Sequence, residues 1–208
     1  VVRTRELAYS MFERLKRETE RSGNSLDLTL LDTQYRMHPQ IMSVSNKLFY
    51  DGRLRSGISQ DDRLPPDGSP VLMVPVDAPS DERINLAQVE AVEQLVRRYQ
   101  KEYGVPAEGI GVVSPFRAQV VLLRKRLQDT GVAVDTIERF QGGERDIMIL
   151  SLVRSRGGGF VFDERRFNVA ITRARCKLVF VAHPDLFVSS RFEWISTFTE
   201  THRIAGTT

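Results

Sequence analysis

Two segments carry arginines among polar and aromatic side chains suited to a polyphosphate: Thr33-Gln34-Tyr35-Arg36-Met37-His38-Pro39 and Arg166-Phe167-Asn168-Val169-Ala170-Ile171-Thr172-Arg173-Ala174-Arg175. A guanidinium is planar, permanently charged and rich in N–H donors, so it stabilises charge spread over phosphoryl oxygens with little reorganisation. Arg36 and Arg173 are the candidates for that chemistry; the competing reading is an arginine paired to a carboxylate within the fold. A loop to cradle the phosphates would need Gly-x-x-x-x-Gly-Lys-[Ser/Thr]. The two nearest frames, 52–59 and 104–111, put Ile58 and Ile110 where the lysine belongs. Phe160-Val161-Phe162-Asp163-Glu164 resembles an apolar strand ending in a metal-binding pair, but it follows Gly157-Gly158-Gly159 and runs into a basic helix. No metal site is read there.

The elements that must position these groups come from periodicity. Apolar residues at helical spacing predict an amphipathic helix over about 4–20, closed by Ser22-Gly23-Asn24, and a strand follows over 26–31. Pro39 suits the first turn of a helix reaching about Tyr50, which places Arg36 at a strand-to-helix turn. Residues 51–70, rich in Gly, Pro, Asp and Ser, read as an irregular surface loop. Beyond it the pattern gives strands at 71–76, 110–113, 132–137, 147–153 and 178–182. Helices are expected at 84–103, 117–129 and 163–174, with a mobile glycine-rich loop at 157–159 and a short helix after Pro184. Strands that alternate with helices and are apolar on both faces imply an α/β, three-layer fold around a mainly parallel sheet. In such sheets ligands gather at the carboxyl ends of the strands, where Arg36, Ser114, Thr136 and Glu144 are expected.

Composition sets the outer bounds. At 208 residues, 41% hydrophobic and 27% charged, the chain has the make-up of a soluble globular protein. A net charge of +3 permits a nucleic-acid partner without demanding one. The single cysteine, Cys176, can form no internal disulfide and reads as a packed thiol, and no Cys/His cluster has zinc spacing. His38, His183 and His202 are scattered, so none is given a catalytic role. No apolar run is long enough for a membrane span, and the charged opening is no signal peptide, so an intracellular location without a membrane partner is expected. The absence of an initiator methionine and of a strand ahead of the first helix suggests a domain taken from a longer protein.

Four blocks, in order, carry a resemblance. They are Gln34-Tyr35-Arg36-Met37-His38-Pro39 with Asn46-Lys47-Leu48-Phe49-Tyr50-Asp51-Gly52; Ser114-Pro115-Phe116-Arg117-Ala118-Gln119; Phe140-Gln141-Gly142-Gly143-Glu144-Arg145-Asp146; and Asn168-Val169-Ala170-Ile171-Thr172-Arg173-Ala174-Arg175. Together they resemble the second RecA-like motor domain of superfamily 1 helicases, in the branch of the RNA-surveillance and Okazaki-fragment-processing enzymes. The resemblance implies a RecA-like P-loop NTPase fold lacking its own P-loop. It divides the chain into a helical lead-in (1–25), the motor domain (26–188) and a helical tail (189–208). The chain departs from the family in having Glu138 where Asp is usual.

The resemblance also implies roles. Arg36 and Arg173 would reach ATP, held with Mg2+ mainly by an upstream RecA-like domain of the same polypeptide. Tyr35 would stack on adenine, and Glu144 would accept hydrogen bonds from the ribose. Gln34 either contacts this cleft or satisfies backbone groups. Arg175 is expected to brace the sheet. Ser114, Arg117 and Thr136 would meet the phosphates of single-stranded DNA or RNA, with Gln141 linking that track to the nucleotide; the competing readings are strand-end capping and a solvated helix start. The Arg124-Lys125-Arg126 cluster is read as a solvated face. The parent is expected to be a monomeric, 5′-to-3′ ATP-dependent helicase or translocase, and this fragment alone to be inactive. Two alternatives remain open at this point: a helicase-derived remodelling or scaffold module that only binds nucleic acid, and a parent fused to a nuclease.

Overall fold

The computed structural model describes residues 11–22, 31–78, 80, 83–140, 143–154 and 164–186. Two compact units are formed, Val1–Asp32 and Thr33–Thr208. In the first, helix α1 (Met11–Ser22) leaves Met11 and Leu15 exposed. The expected residues 4–10 of this helix, the strand over 26–30, the loop at 157–159 and the tail from 189 lie outside the described residues.

The second unit is built on five parallel strands: β3 (Val71–Pro75), β4 (Ile110–Ser114), β5 (Ala133–Thr136), β6 (Arg145–Ser151) and β7 (Ala174–Ala182), in the order β3-β7-β6-β4-β5. These runs are β-branched and apolar because both faces of the sheet are covered, and successive side chains enter opposite cores. Met148, Leu150, Leu178 and Phe180 pack against α2 (Pro39–Phe49) and α5 (Glu164–Ile171) through Ile41, Val44, Phe167 and Ile171. Their neighbours Ile147, Ile149, Val179 and Val181 pack against α3 (Leu86–Lys101) and α4 (Arg117–Arg126) through Val89, Val92, Val96, Val120 and Leu123. The α/β, three-layer architecture with a parallel sheet is therefore as expected.

Three departures bear on the site. Strands β6 and β7 begin earlier than their apolar runs, at Arg145 and Ala174, and these two residues pair with each other. The ladder thus extends into charged sequence that hydropathy alone would leave out. The 51–70 segment holds a two-residue strand, β2 (Arg55–Ser56), parallel to β1 (Thr33–Gln34), and a 3-10 turn at Asp61–Arg63. It is fastened to β7 by Lys177, which is fully buried: its Nζ donates to Asp67 Oδ1 at 2.7 Å and to the Ser69 carbonyl.

The third departure corrects an expectation. Glu144 immediately precedes β6 and Arg173 precedes β7, so both lie at the amino ends of the strands, and Arg36 reaches them there. Ser114 and Thr136 occupy carboxyl ends within the five-stranded sheet, as register partners on β4 and β5, and Arg36 follows the carboxyl end of β1 by two residues. The reason is topological: parallel strands force the connection from β5 to run back along the sheet before β6 can start.

Candidate functional site

The turn between β1 and α2 is shaped by one side chain. Gln34 Oε1 accepts the N–H groups of Arg36 (2.9 Å) and Met37 (2.7 Å), while its Nε2 donates to the Met37 carbonyl at 2.9 Å. Gln34 thus satisfies backbone groups, and in doing so it turns Tyr35 and Arg36 outward. His38 ends the turn as N-cap of α2, its Nδ1 accepting the Gln40 N–H at 3.1 Å, and its own N–H joins the Arg175 carbonyl at 2.7 Å. Burial holds the His38 imidazole below its ordinary pKa, and so neutral, as an acceptor must be.

Tyr35 is 65% exposed, which excludes a core tyrosine. Its ring lies flat enough on Gly57 that a Cβ there would stand 2.2 Å from Tyr35 Cε1. One side of the ring is therefore floored by backbone. Gly57 is itself tied to the turn, donating to the Gln34 carbonyl at 2.8 Å, and Arg63 Nε donates to the Arg36 carbonyl at 3.1 Å. Sequence reading missed Gly57 and Arg63; their only signal was a loop that looked like punctuation.

Five charged side chains meet at the amino ends of β6 and β7: Arg36, Glu144, Asp146, Arg173 and Arg175. Arg36 Nε donates to Glu144 Oε2 at 2.7 Å and its Nη1 to the Thr172 carbonyl at 3.2 Å. Arg175 stands 3.8 Å from Glu144 and 3.6 Å from Asp146. Arg145 turns instead to the backbone carbonyl of Glu144, at 2.8 Å. Arg173 pairs with no carboxylate among the described residues, and its Nε, like those of Arg145 and Arg175, is buried without a hydrogen-bond partner. Burial first, then the like charge of Arg36, pull its pKa below the ordinary arginine value, with Glu144 opposing. Arginine stays cationic under such shifts, so a charge short of partners faces this corner. Helix α5 is aimed at it by Asn168, which accepts from Ser45 at 2.6 Å and donates to Tyr50 at 3.1 Å.

The carboxyl ends of β4 and β5 present fewer open groups. Ser114 is fully buried, with its Oγ accepting the Phe116 N–H at 3.4 Å, a strand-end cap. Thr136 is nearly buried; its N–H donates to Asp135 Oδ1 at 2.8 Å. Arg117 is exposed as the first residue of α4. Gln141 lies outside the described residues. Glu138 pairs with Arg166 at 3.1 Å, so the longer carboxylate keeps a cationic partner. The cluster expected to be a solvated face is partly engaged: Arg124 bonds Asp135 at 2.8 Å and Arg126 pairs with Glu93.

Among the described residues two non-glycine positions have a positive φ, Asp51 at +51°, where aspartate is tolerated, and Val153. Val153, just past β6, has φ +68°, a rare conformation for a β-branched residue, and costs about 1–3 kcal/mol.

Among the described residues no group of three or more His, Cys, Asp or Glu side chains could hold a metal ion, and no helix is long and apolar enough to cross a membrane.

Comparison with known proteins adds a family model described as an AAA domain, which matches residues 7–185. A regulator of nonsense transcripts 1 homolog from Neurospora crassa is 34% identical over 182 residues, covering 75% of this chain and 17% of that protein. An uncharacterized ATP-dependent helicase of Methanocaldococcus jannaschii is 31% identical over 228 aligned positions, covering 95% of this chain and 33% of that protein. The mouse 5'-3' DNA helicase ZGRF1 is 38% identical over 167 residues, covering 73% of this chain and 9% of that protein. The chain spans a third or less of the length of each.

Proposed function

This chain belongs to the AAA domain family, in the superfamily 1 helicase branch it shares with these relatives, and on that premise we propose that it is the second motor domain of an ATP-dependent helicase. The observation that carries the reading is the convergence of Arg36, Glu144 and Arg173 on one corner beside an exposed, floored Tyr35.

In this reading ATP, with Mg2+ on its phosphates, is held mainly by a first RecA-like domain of the same polypeptide and closes against this corner. Tyr35 offers a flat face to adenine. Glu144, an acceptor-only group, takes the ribose hydroxyls. Arg36 and Arg173 meet the charge that develops on the transferred phosphoryl group, acting as arginine fingers. Arg173 gains most from this, since a phosphate oxygen would supply the partner its buried Nε lacks.

Single-stranded nucleic acid is assigned to the other end of the sheet, at Ser114, Thr136 and Arg117, with Gln141 on the connection between the two ends. Because Ser114 is buried, its contribution there is to shape the turn that presents Arg117. Contacts to phosphate carry no sequence information, which suits translocation. The mouse relative's name, 5'-3' DNA helicase ZGRF1, motivates a 5′-to-3′ direction. The domain works as a monomer, and alone it hydrolyses no ATP.

The test is ATP hydrolysis by the intact protein, titrated in parallel with single-stranded DNA and single-stranded RNA. Stimulation by either supports a motor, and the stronger activator identifies its track. Tight nucleic-acid binding without hydrolysis would replace this reading with a module that only binds.

A further inference from the structure

The strained residue Val153 sits in a network with no role in the chemistry described so far. The Arg154 N–H donates to the Leu152 carbonyl at 2.8 Å, closing a three-residue turn with Val153 at its centre. Such a turn persists only where its surroundings over-determine it, and here they do. The Gln88 amide grips Val153 from both sides, Oε1 accepting its N–H at 2.9 Å and Nε2 donating to its carbonyl at 3.3 Å. Asn85 Nδ2 reaches the same carbonyl at 3.4 Å. Gln119 grips Asn85 in the same two-handed way, with both bonds at 3.0 Å, and also donates to Ser151 Oγ. Ser151 Oγ in turn donates to Gln88 Oε1 at 3.0 Å. Asn85, Gln88, Gln119 and Ser151 are all buried.

A satisfied buried network of this size fixes geometry rather than adding much stability. What it fixes is the exit of the chain from β6. The next residue, Arg154, is thrown over Phe116, with its guanidinium carbon 5.4 Å from the ring centroid. Phe116 immediately precedes Arg117, so both arginines lie just past the carboxyl ends of β4 and β6. Arg154 is half-buried there, and a guanidinium carries several N–H donors, so one held over a ring by its charge can still present donors to a phosphate.

We infer that Arg154 is a phosphate contact for single-stranded nucleic acid, presented by the strained turn at Val153 and held over the Phe116 ring. The inference rests on the nucleic-acid reading of this end of the sheet. It moves the main cationic grip onto Arg154 and Arg117, and gives Gln88 and Val153 positioning roles.

The experiment measures binding of short labelled oligothymidylate and oligouridylate strands by this chain over a range of salt concentrations. Arg154→Ala is expected to weaken binding about tenfold and to reduce the slope of log affinity against log salt by about 0.7, one phosphate contact. Arg154→Lys should recover only part of the loss, because an ammonium keeps the charge without the planar fork. Val153→Gly relieves the positive φ, so it should unfold at no lower a temperature than the unmodified chain and yet bind about threefold more weakly. A merely structural role would not separate these two readouts. Lys101→Ala, at the opposite end of α3, should change neither. Unchanged affinity and slope in Arg154→Ala, with a loss in Arg117→Ala, would overturn the inference and leave the nucleic-acid reading standing. An equal loss in Lys101→Ala would overturn it as a general charge effect. No salt-dependent binding by the unmodified chain would overturn both.

Discussion

Arg36 Nε lies 2.7 Å from Glu144 Oε2, so the candidate finger and the candidate ribose acceptor hold each other. Both side chains are more than 40% exposed, and pairs of that kind contribute about 0–1 kcal/mol. The contact is therefore inexpensive to exchange. A nucleotide that offers hydroxyls to Glu144 and phosphate to Arg36 gives each a stronger partner than the one it loses. The pair keeps both groups in place, at the amino ends of β6 and β7, until then.

The two residues should separate kinetically in the intact protein. Glu144→Ala removes a contact made equally in ground and transition states, so KM for ATP rises about tenfold with kcat nearly kept. Arg36→Ala removes a contact to developing charge, so kcat falls by roughly a thousandfold. Steady-state kinetics of both variants check this, and an equal fall in kcat for both would contradict it.

Gly57→Ala places a methyl group inside the present position of the Tyr35 ring. The ring must swing away, and KM for ATP should rise as far as it does in Tyr35→Ala. In the double variant the two effects should not add, since once the ring is gone the methyl has nothing to displace. Additive losses would show that Gly57 acts elsewhere.

Much of this was legible in sequence because it is local. Continuous apolar runs mark the strands, Pro39 marks the start of α2, and the arginine-bearing blocks stand at element ends. What was not legible depends on distance along the chain. Glu144 lies 108 residues from Arg36, and nothing in either segment announces the bond between them. Its place at an amino end follows from how far the connection after β5 runs back, which periodicity does not report. Gly57 is required by close approach of a ring, with no positive φ to mark it. The strain at Val153 has no local signature either, because it is imposed by Gln88, 65 residues away.

Lys177 is fully buried against Asp67, which also accepts the Tyr99 hydroxyl at 3.0 Å. Burial pushes the Lys177 pKa down, with the Asp67 contact opposing. Lys177→Met leaves a buried carboxylate without its cation and should cost about 3–5 kcal/mol. Denaturant unfolding of this chain measures it. Because Asp67 anchors the segment that floors Tyr35, nucleotide affinity of the intact protein should fall as well.

Acidification should loosen the turn that carries Arg36. The folded-state pKa of His38 is lowered by burial, so below about pH 6.5 the unfolded chain binds the extra proton more readily. Stability is then lost as pH falls from about 6.5 toward the folded pKa, and the neutral N-cap is lost with it. The unfolding temperature of the chain should drop between about pH 7 and pH 5, and His38→Asn, a cap that does not titrate, should flatten that slope. An unchanged slope would mean that other groups govern it.

The most direct test of the motor reading is Arg173→Ala in the intact protein, with ATP affinity and nucleic-acid-stimulated hydrolysis measured on the same preparation. The account predicts hydrolysis lowered by roughly a thousandfold, with nucleotide binding kept within a few-fold. Near-normal turnover would contradict it, because the half-buried Arg173, whose Nε lacks a hydrogen-bond partner, would then be serving the fold and not the phosphoryl group.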